Sequence, residues 1–189
     1  HANAKFNFDI PKPVMVAKRL SQCLHPALPH GVHLKALDTY RQLFDILGQK
    51  HLPQLLYLFA VGLFPLMDFC GIKVKSELLS IFEQYLLPLE GRIKPALPGF
   101  ITAVLLGLEE GTEFYNRSLT LLNNLKNRVG AEAFFSCLWE AALGSPSVRL
   151  PALIFVNTCF DKRKSMEDQI YIMGEHVDHM IVALCAIAE

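Results

Sequence analysis

The sequence predicts an all-α protein, an armadillo-like or HEAT-like α-solenoid segment of about nine helices. Apolar residues recur at helical spacing through almost the whole chain, for example over residues 78–89. No sustained alternation of apolar and polar residues, the pattern of a half-buried strand, is present. Hydrophobic residues make up 52% of the 189 residues and charged residues only 19%, so stacked helices are needed to cover the apolar surface.

Three similar segments support a stack of helix pairs. Residues 29–37 and 146–153 each combine a turn proline with the pattern V-[H/R]-L-x-A-L. Val32 and Val148 are 116 positions apart (148 minus 32), about three times the roughly 40-residue period of armadillo and HEAT repeats. A weaker copy of the pattern begins at Val74, 42 positions after Val32. Because a helix pair has two apolar faces, neighbouring pairs are expected to stack into one elongated core.

Glycines and prolines predict where the helices begin and end. Gly48, Gly91, Gly111 and Gly130 each follow an apolar periodic run, as expected for stop signals that adopt positive φ. The predicted helices cover residues 13–24, 32–47, 53–69, 74–87, 96–108, 113–129, 131–143, 146–160 and 166–188. Gly174 interrupts the last of them.

Residues 150–160 come nearest to a strand, because they contain β-branched side chains. We predict a helix there, since the preceding residues read as a tight junction between helices. Gly144 is expected to end one helix in the left-handed conformation, Ser145 to cap the next, and Pro146 to occupy its first turn.

Four more prolines lie inside or late in apolar helical runs and predict kinks or helix ends. They are Pro65, Pro88, Pro98 and Pro151. A proline in a helix interior costs about 3 kcal/mol unless the helix bends or stops there. Armadillo-type helices accept such bends, whereas a four-helix bundle of straight helices would not be expected to contain so many.

Charge and cysteine content exclude several classes of protein. The chain has 18 basic and 18 acidic residues, so it lacks the basic character of nucleic-acid-binding proteins and no nucleic-acid partner is expected. The number of cysteines is odd and no C-x-x-C motif is present, which favours a reduced cytosolic setting with apolar thiols. The five are Cys23, Cys70, Cys137, Cys159 and Cys185.

The chain is predicted to be a single helical-repeat domain over residues 1–189, with residues 1–13 as an extended N-terminal segment. Two uncharged stretches, 52–67 and 95–108, are shorter than the roughly 20 residues of a membrane span and read as buried helices. Residues 1–13 lack the basic and apolar regions of a signal peptide, and the sequence does not start with Met. The chain is therefore expected to be a fragment of a larger protein.

Candidate metal and catalytic sites are weak. His25, His30 and His33 cluster beside Cys23, but zinc-finger spacing is absent and we interpret them as a surface turn. His176 and His179 lie without an H-E-x-x-H motif and are interpreted as an exposed polar helix face.

No phosphate-binding loop or nucleophile motif is present, so neither an enzyme nor a cofactor is predicted, although a Cys/His pair brought together by the fold remains a third hypothesis. Trp139, Phe134 and Phe135 lie in the amphipathic segment 131–143 and are interpreted as core residues.

Basic residues at helix ends and in loops are candidates for contact with anionic phosphoinositide lipids. The best run is Lys162, Arg163 and Lys164, although Glu167 and Asp168 follow it closely. Lys18 and Arg19 are a second group. Each cation near an anionic membrane contributes about 1 kcal/mol, so the attraction would be weak and sensitive to salt.

Several blocks of the sequence resemble the N-terminal region of the Dopey family. They are AKRLSQCLHPALP at 17–29, GVHLKALDTY at 31–40, GLFPL at 62–66, GLEEG at 107–111 and SPSVRLP at 145–151. The blocks occur in the family order and cover most of residues 18–156, while residues 1–13 and 161–189 resemble the family more loosely.

The resemblance implies a very large cytosolic protein, peripheral on Golgi and endosomal membranes, that acts in vesicular trafficking between them. It also implies a large Sec7-related scaffold of the Mon-two type as partner, links to flippase and kinesin machinery, and no enzymatic activity in this region. We therefore expect a non-catalytic scaffold that binds partner proteins and the membrane. The alternative is a phosphoinositide-binding module that targets membranes.

Overall fold

Helices follow one another through residues 10–188, which are the residues that this computed structural model describes. The α-helices are α1 (Pro13–Cys23), α2 (His30–Leu63), α3 (Leu66–Phe69), α4 (Ile72–Ile81), α5 (Leu97–Leu105), α6 (Tyr115–Val129), α7 (Ala131–Gly144), α8 (Arg149–Cys159) and α9 (Val177–Ala188). A π-helical turn spans Phe82–Leu86, and 3-10 segments span Leu87–Ala96, Pro146–Val148 and Glu167–Met173. No strand occurs among residues 10–188, and the all-α prediction is confirmed. Most of the predicted extended segment 1–13 lies outside the described residues, and Pro13 already belongs to α1.

The helices form a solenoid-like stack in which each packs against elements close to it in the chain, often against the next but one. Helix α1 packs against α2, and α2 packs against α4 and the segment Leu87–Ala96. Helix α5 packs against α6 and α7, and α7 then contacts α8 and α9. The core therefore runs along the stack, as the repeated apolar pattern predicts.

Aromatic rings fill the middle of the stack. Phe64 at the end of α2, Phe82 in the π-helical turn and Phe100 in α5 are all buried. Their ring centroids lie 5.0–5.8 Å apart, in edge-to-face and stacked pairs that join three elements. The abundance of Phe thus serves inter-helix packing.

Helix α2 continues through the predicted break at Gly48. The sequence predicts separate helices at 32–47 and 53–69, but helical structure extends from His30 to Leu63 with a bend at Gly48, where φ is 57° and ψ is 179°. Pro53, five residues after Gly48, cannot donate to the Gln49 carbonyl, and the Arg92 guanidinium donates to that carbonyl at 2.7 Å instead. The prediction of positive φ at Gly48 is confirmed, and the prediction of a gap before residue 53 is wrong.

Within residues 10–188, one helical run is long and apolar enough to cross a bilayer by length and composition. It extends over His30–Phe69 and contains a window with a mean hydropathy of 1.5, of which 44% is buried inside the protein. The bent pair Glu167–Met173 and Val177–Ala188, with an angle of 73°, passes the same test if joined. Because Leu52, Leu56 and Phe59 of the long run are buried in the stack, we interpret it as a core helix.

Prolines mark the starts of elements more often than kinks within them. Pro88 and Pro98 each occupy a first-turn position, of the segment Leu87–Ala96 and of α5. Because Pro88 cannot donate the next helical hydrogen bond, the predicted helix 74–87 gives way to the π-helical turn, where the Leu87 amide donates to the Phe82 carbonyl. Pro151 lies in the first turn of α8.

Positive φ occurs at three of the four predicted glycines. Gly48, Gly111 and Gly130 have positive φ, but Gly91 does not, and the neighbouring Glu90 adopts φ of 52° instead. The Glu90 carboxylate oxygen lies 3.5 Å from the Arg128 guanidinium on α6 and forms an ion pair, which Gly91 has no side chain to make.

The junction between α7 and α8 differs in detail from its prediction. Gly144 ends α7 without positive φ, and the Ser145 hydroxyl pairs with the Ser147 hydroxyl at 2.9 Å instead of capping a helix. Pro146 begins a short 3-10 segment, as expected for a first-turn proline, and α8 starts only at Arg149.

The C-terminal region is two elements, where one helix over residues 166–188 was predicted. Gly174 has φ of 71° and separates Glu167–Met173 from α9. A Cβ at this position would lie 2.8 Å from the Ser136 amide nitrogen of α7, so only glycine allows this close approach.

The three repeated valines lie at or beside helix starts but are not equivalent. Val74 and Val148 are fully buried, whereas Val32 is 37% exposed. The repeat pattern therefore marks where helices begin more reliably than which side chains enter the core.

Arg117 on α6 clamps the polar face of α4 and the following turn. Its guanidinium donates to both carboxylate oxygens of Glu83 at 2.7 Å, to the Ser80 hydroxyl at 2.7 Å and to the Ser76 carbonyl at 3.1 Å. The bonds to Glu83 raise the pKa of Arg117. Since 30% of Arg117 and 37% of Glu83 remain exposed, solvent screens part of this attraction.

We expect Arg117→Ala to lower the free energy of unfolding by about 1–2 kcal/mol, because it removes a bidentate pair that joins two helices. Urea denaturation followed by circular dichroism measures this. Arg128→Ala, which breaks the longer and more exposed pair with Glu90, is the matched control and should change stability by less than about 0.5 kcal/mol. Equal effects for both variants would contradict the clamp.

Candidate functional site

A shallow apolar groove crosses the surface where the end of α2, α5 and the start of α8 meet. It consists of three cavities of about 360, 350 and 410 Å³. Phe64 and Gly99 line both the first and the second cavity, and Leu106 and Ser147 line both the second and the third. We call this surface the α5 groove, with a floor formed by Ala96, Gly99, Ala103 and Leu106.

The floor of the α5 groove is one face of a single helix. Ala96 immediately precedes α5, and the other floor residues follow at spacings of three or four, which places them in one row. Three of the four are Ala or Gly, so the floor is low and close to the backbone. A Cβ at Gly99 would lie 3.0 Å from the Phe64 ring, so glycine also lets α2 approach α5.

The walls of the α5 groove carry large exposed apolar side chains. Tyr57 and Val61, one helical turn apart on α2, are 60% and 69% exposed, and Leu150 of α8 is 63% exposed. Clustered exposed apolar groups around a groove are typical of an interaction site, whereas isolated ones are ordinary. The groove is therefore a candidate binding surface.

The charge along the α5 groove has one sign. Of the side chains that line its three cavities in the described part of the chain, those charged at neutral pH are Asp68, Glu109 and Glu110. All three are exposed, at the rim of the groove.

The predicted lipid-contact run lies in the loop after α8, where a buried side chain fixes the backbone. Gln169 is 2% exposed, and its amide donates to the carbonyls of Asp161, Lys164 and Ser165 at 2.9–3.4 Å. Its side-chain oxygen accepts a hydrogen bond from the Asp161 amide at 2.7 Å.

This arrangement leaves the basic side chains of the loop in solvent. Lys162, Arg163 and Lys164 are all exposed, as are Met166 and Ile170 beside them. The carboxylate of Asp168 accepts a hydrogen bond from the Ser165 hydroxyl and that of Asp161 accepts one from the Arg163 amide, so two of the three nearby acids are engaged within the loop.

The second predicted basic group lies on a different element. Lys18 and Arg19 are exposed on α1, and Arg19 donates to the Gln22 side chain at 3.2 Å. Because α1 packs against α2 while the loop 160–166 follows α8, the structure places the two basic groups on separate helical layers.

The sequence predicts a surface turn for the histidine cluster near the start of α2, and for one of the three histidines this prediction is wrong. His33 is buried, and its Nε2 lies 2.9 Å from the His25 carbonyl oxygen. It shares the helix face of Ala36, Leu37 and Tyr40, which faces the core, and spacing of three or four explains its burial.

His176 and His179 are predicted to share an exposed helix face. This prediction is wrong, because α9 begins between them at Val177. Their ring centroids are 5.0 Å apart, and Gly174 ends the preceding segment. Within residues 10–188 no group of three or more His, Cys, Asp or Glu side chains is arranged to hold a metal ion.

Two half-buried thiols are unsuited to nucleophilic chemistry. Burial raises the pKa of Cys70 and of Cys137 to about 11, and for Cys137 the nearby Glu140 adds to the effect. A catalytic thiol needs the opposite shift, since the thiolate is the nucleophile.

We expect iodoacetamide at about pH 8 to alkylate the exposed Cys185 first, and Cys70 and Cys137 much more slowly. Folding raises the pKa values of Cys70 and Cys137 above the ordinary value of 9.0. The contribution of these neutral thiols to the free energy of unfolding is therefore complete below pH 9 and is lost as the pH rises towards 11. Peptide mass spectrometry measures the rates, and the same reaction in about 8 M urea is the control. Equal rates in the folded protein would contradict the shifts.

Sequence reasoning did not find the α5 groove. A signal was present, because residues 55–63 of α2 are apolar on all sides of the helix, and Tyr57 and Val61 are exposed while Leu56 and Phe59 are buried. Such a helix is ordinarily buried all round, so an uncovered side points to a missing partner. The small side chains of the groove floor on α5 indicate a groove only when the helices that pack beside α5 are known.

Comparison with known proteins extends the resemblance to the whole chain. A profile of the family described as "Dopey, N-terminal" matches residues 1–189, so the matched region is not limited to residues 18–156. No solved structure matches this chain.

Curated relatives come from several animals. The chain is 67% identical over 188 residues to Protein pad-1 of Caenorhabditis elegans, a match that covers 100% of this chain and 8% of the relative. It is 43% identical over 185 residues to Protein DOP1B of Mus musculus, covering 98% of this chain and 8% of the relative. It is 42% identical over 176 residues to the Protein DOP1 homolog of Drosophila melanogaster, covering 93% and 7%. The chain thus spans less than a tenth of the length of these relatives, and it belongs to the Dopey family, whose N-terminal region it matches throughout.

Proposed function

We propose that this chain is part of a non-catalytic scaffold in vesicular trafficking between endosomes and the Golgi. The observation that carries the proposal is the open stack of helices, which leaves a continuous apolar groove exposed instead of a closed polar cleft. An elongated helical stack offers a large, regular surface on which a second protein can lie. Membership of the Dopey family supports the trafficking role.

The proposed partner is a large Sec7-related scaffold of the Mon-two type, and the proposed location is the cytosolic side of Golgi and endosomal membranes. Links to flippases and to kinesin-dependent positioning belong to the same proposal. The protein partner is bound by the helical stack, while the membrane is contacted by basic loops at its edge.

A pull-down with the purified full-length scaffold partner tests the proposal directly. Immobilised His1–Glu189 is expected to retain the partner, and a chain in which Leu150 and Val61 are both changed to Glu is expected to retain much less of it. Because both side chains are more than 60% exposed, these changes should not unfold the protein, which circular dichroism checks. Failure of the unchanged chain to retain the partner would overturn this part of the proposal.

The second candidate function is phosphoinositide binding through the loop of Lys162, Arg163 and Lys164. The favouring observation is the Gln169 clamp, which fixes the loop while its three cations remain in solvent beside the exposed Met166 and Ile170. Basic groups beside exposed apolar ones are suited to the surface of an anionic bilayer. Glu167 and Asp168 weaken the field of the loop.

Liposome co-sedimentation tests this candidate. Phosphatidylcholine vesicles with and without a few per cent phosphoinositide are compared at low salt and at about 0.5 M salt, where surface attraction is screened. Changing the three cations to Glu should reduce sedimentation with the anionic vesicles more than tenfold, at about 1 kcal/mol per cation. Lys18→Glu with Arg19→Glu tests the α1 group separately. Sedimentation that does not depend on the phosphoinositide or on these cations would exclude the candidate.

A further inference from the structure

We propose that the α5 groove binds a short amphipathic α-helix with flanking Lys or Arg residues, contributed by a partner protein. This inference rests on the proposed scaffold role and adds the chemistry of the partner segment. It follows from the length, the floor and the charge of the groove.

The dimensions of the groove suit about three turns of helix. The floor runs from Ala96 to Leu106, which at 1.5 Å per residue is about 15 Å, and the third cavity continues towards Ile154 of α8. Because Gly99 and Ala103 keep the floor low, the backbone of a docked helix can lie close to α5.

The walls of the groove offer anchoring contacts at helical spacing. Tyr57 and Val61 stand on one side and Leu150 stands towards the far end, all of them mostly in solvent. Apolar side chains of a bound helix, three or four residues apart, would enter the three connected cavities, as in other complexes of a helix with a groove.

The charge of the rim selects the partner. Asp68 lies beside the middle cavity and Glu109 and Glu110 beside the third, so cationic residues on the bound helix would meet carboxylates. The same carboxylates repel the phosphates of an anionic membrane, which therefore fits the groove poorly. A basic amphipathic helix satisfies both the apolar floor and the acidic rim.

Two synthetic peptides of about 14 residues provide the test, both with Leu at helical spacing and one with Lys, the other with Glu, on the remaining face. Fluorescence anisotropy with the chain is expected to show at least tenfold tighter binding of the Lys peptide. Leu150→Gln and Val61→Gln, which remove apolar contact without adding a charge, should each weaken its binding about tenfold or more. Ile46→Gln, at a 57% exposed position on the first half of α2, is the matched control and should leave binding unchanged.

Charge reversal gives the second arm. The double change Glu109→Lys with Glu110→Lys should weaken the Lys peptide and strengthen the Glu peptide, without loss of helical content. Equal binding of both peptides, an equal loss of binding in Ile46→Gln, or a groove variant that binds normally would overturn the inference. So would a concentration-dependent dimer in sedimentation velocity that Leu150→Glu abolishes, because a second copy would then occupy the groove.

The outcomes separate this inference from the scaffold role. Retention of the scaffold partner by a chain with both Leu150→Glu and Val61→Glu would leave the scaffold role in place and remove the groove as its site. Groove-dependent binding of the Lys peptide without retention of the scaffold partner would support the groove and remove that partner.

Discussion

Replacement of Trp139 by alanine is expected to lower the free energy of unfolding by about 3–5 kcal/mol, the range for truncating a buried aromatic side chain. Trp139 lies on α7, which contacts α5, α8 and α9, and it is almost fully buried. Its indole N–H donates to the carbonyl of Ile172 at 2.8 Å, so the change also leaves a buried acceptor without a partner.

Urea denaturation followed by circular dichroism measures this effect, because the variant loses the one tryptophan of the chain and with it the fluorescence signal. Trp139→Phe keeps most of the volume and should lose only about 1–3 kcal/mol, mainly from the unpaired carbonyl. Ile170→Ala, at an exposed position in the neighbouring 3-10 segment, is the control and should change stability little. A loss below about 1 kcal/mol for Trp139→Ala would contradict its central place in the core.

Gly62→Val is expected to destabilise the protein by about 3 kcal/mol and to displace α1 from α2. A Cβ at Gly62 would lie 2.7 Å from the Cβ and 2.8 Å from the Cα of Ser21 on α1, so the backbone itself has to move. Since α1 packs against α2, hydrogen exchange should rise through Pro13–Cys23 far more than in α7.

Gly31→Ala is the matched control for this prediction, since Gly31 lies in the first turn of the same helix with no atom within 4 Å of its added Cβ. It should leave stability within about 1 kcal/mol of the unchanged protein, or raise it. Normal hydrogen exchange of α1 in Gly62→Val would show that the two helices can accommodate a side chain there.

Fold class and most helix starts could be predicted from local chemistry. Gly130, with positive φ, separates α6 from α7 where expected, and Pro13 and Pro98 lie at or beside helix starts. These signals act through the backbone of the residue itself, so the sequence is enough. Trp139, Phe134 and Phe135 are core residues for a similarly simple reason, their place on an amphipathic helix.

Features that depend on distant neighbours could not be predicted. Burial of His33 depends on which face of α2 meets the core, and the role of Gln169 depends on the path of a loop four to eight residues before it. The α5 groove brings together side chains from α2, α5 and α8, and periodicity within any one helix does not reveal that meeting.

The neutral amide of Gln169 gives the basic loop a property useful for measurement. Its hydrogen bonds involve no ionised group, so a change in salt concentration leaves these bonds in place while it screens the attraction of the loop's cations. A titration of vesicle affinity against salt therefore reports the number of counterions that the loop's cations displace, and the Gln169 hydrogen bonds do not change during the titration.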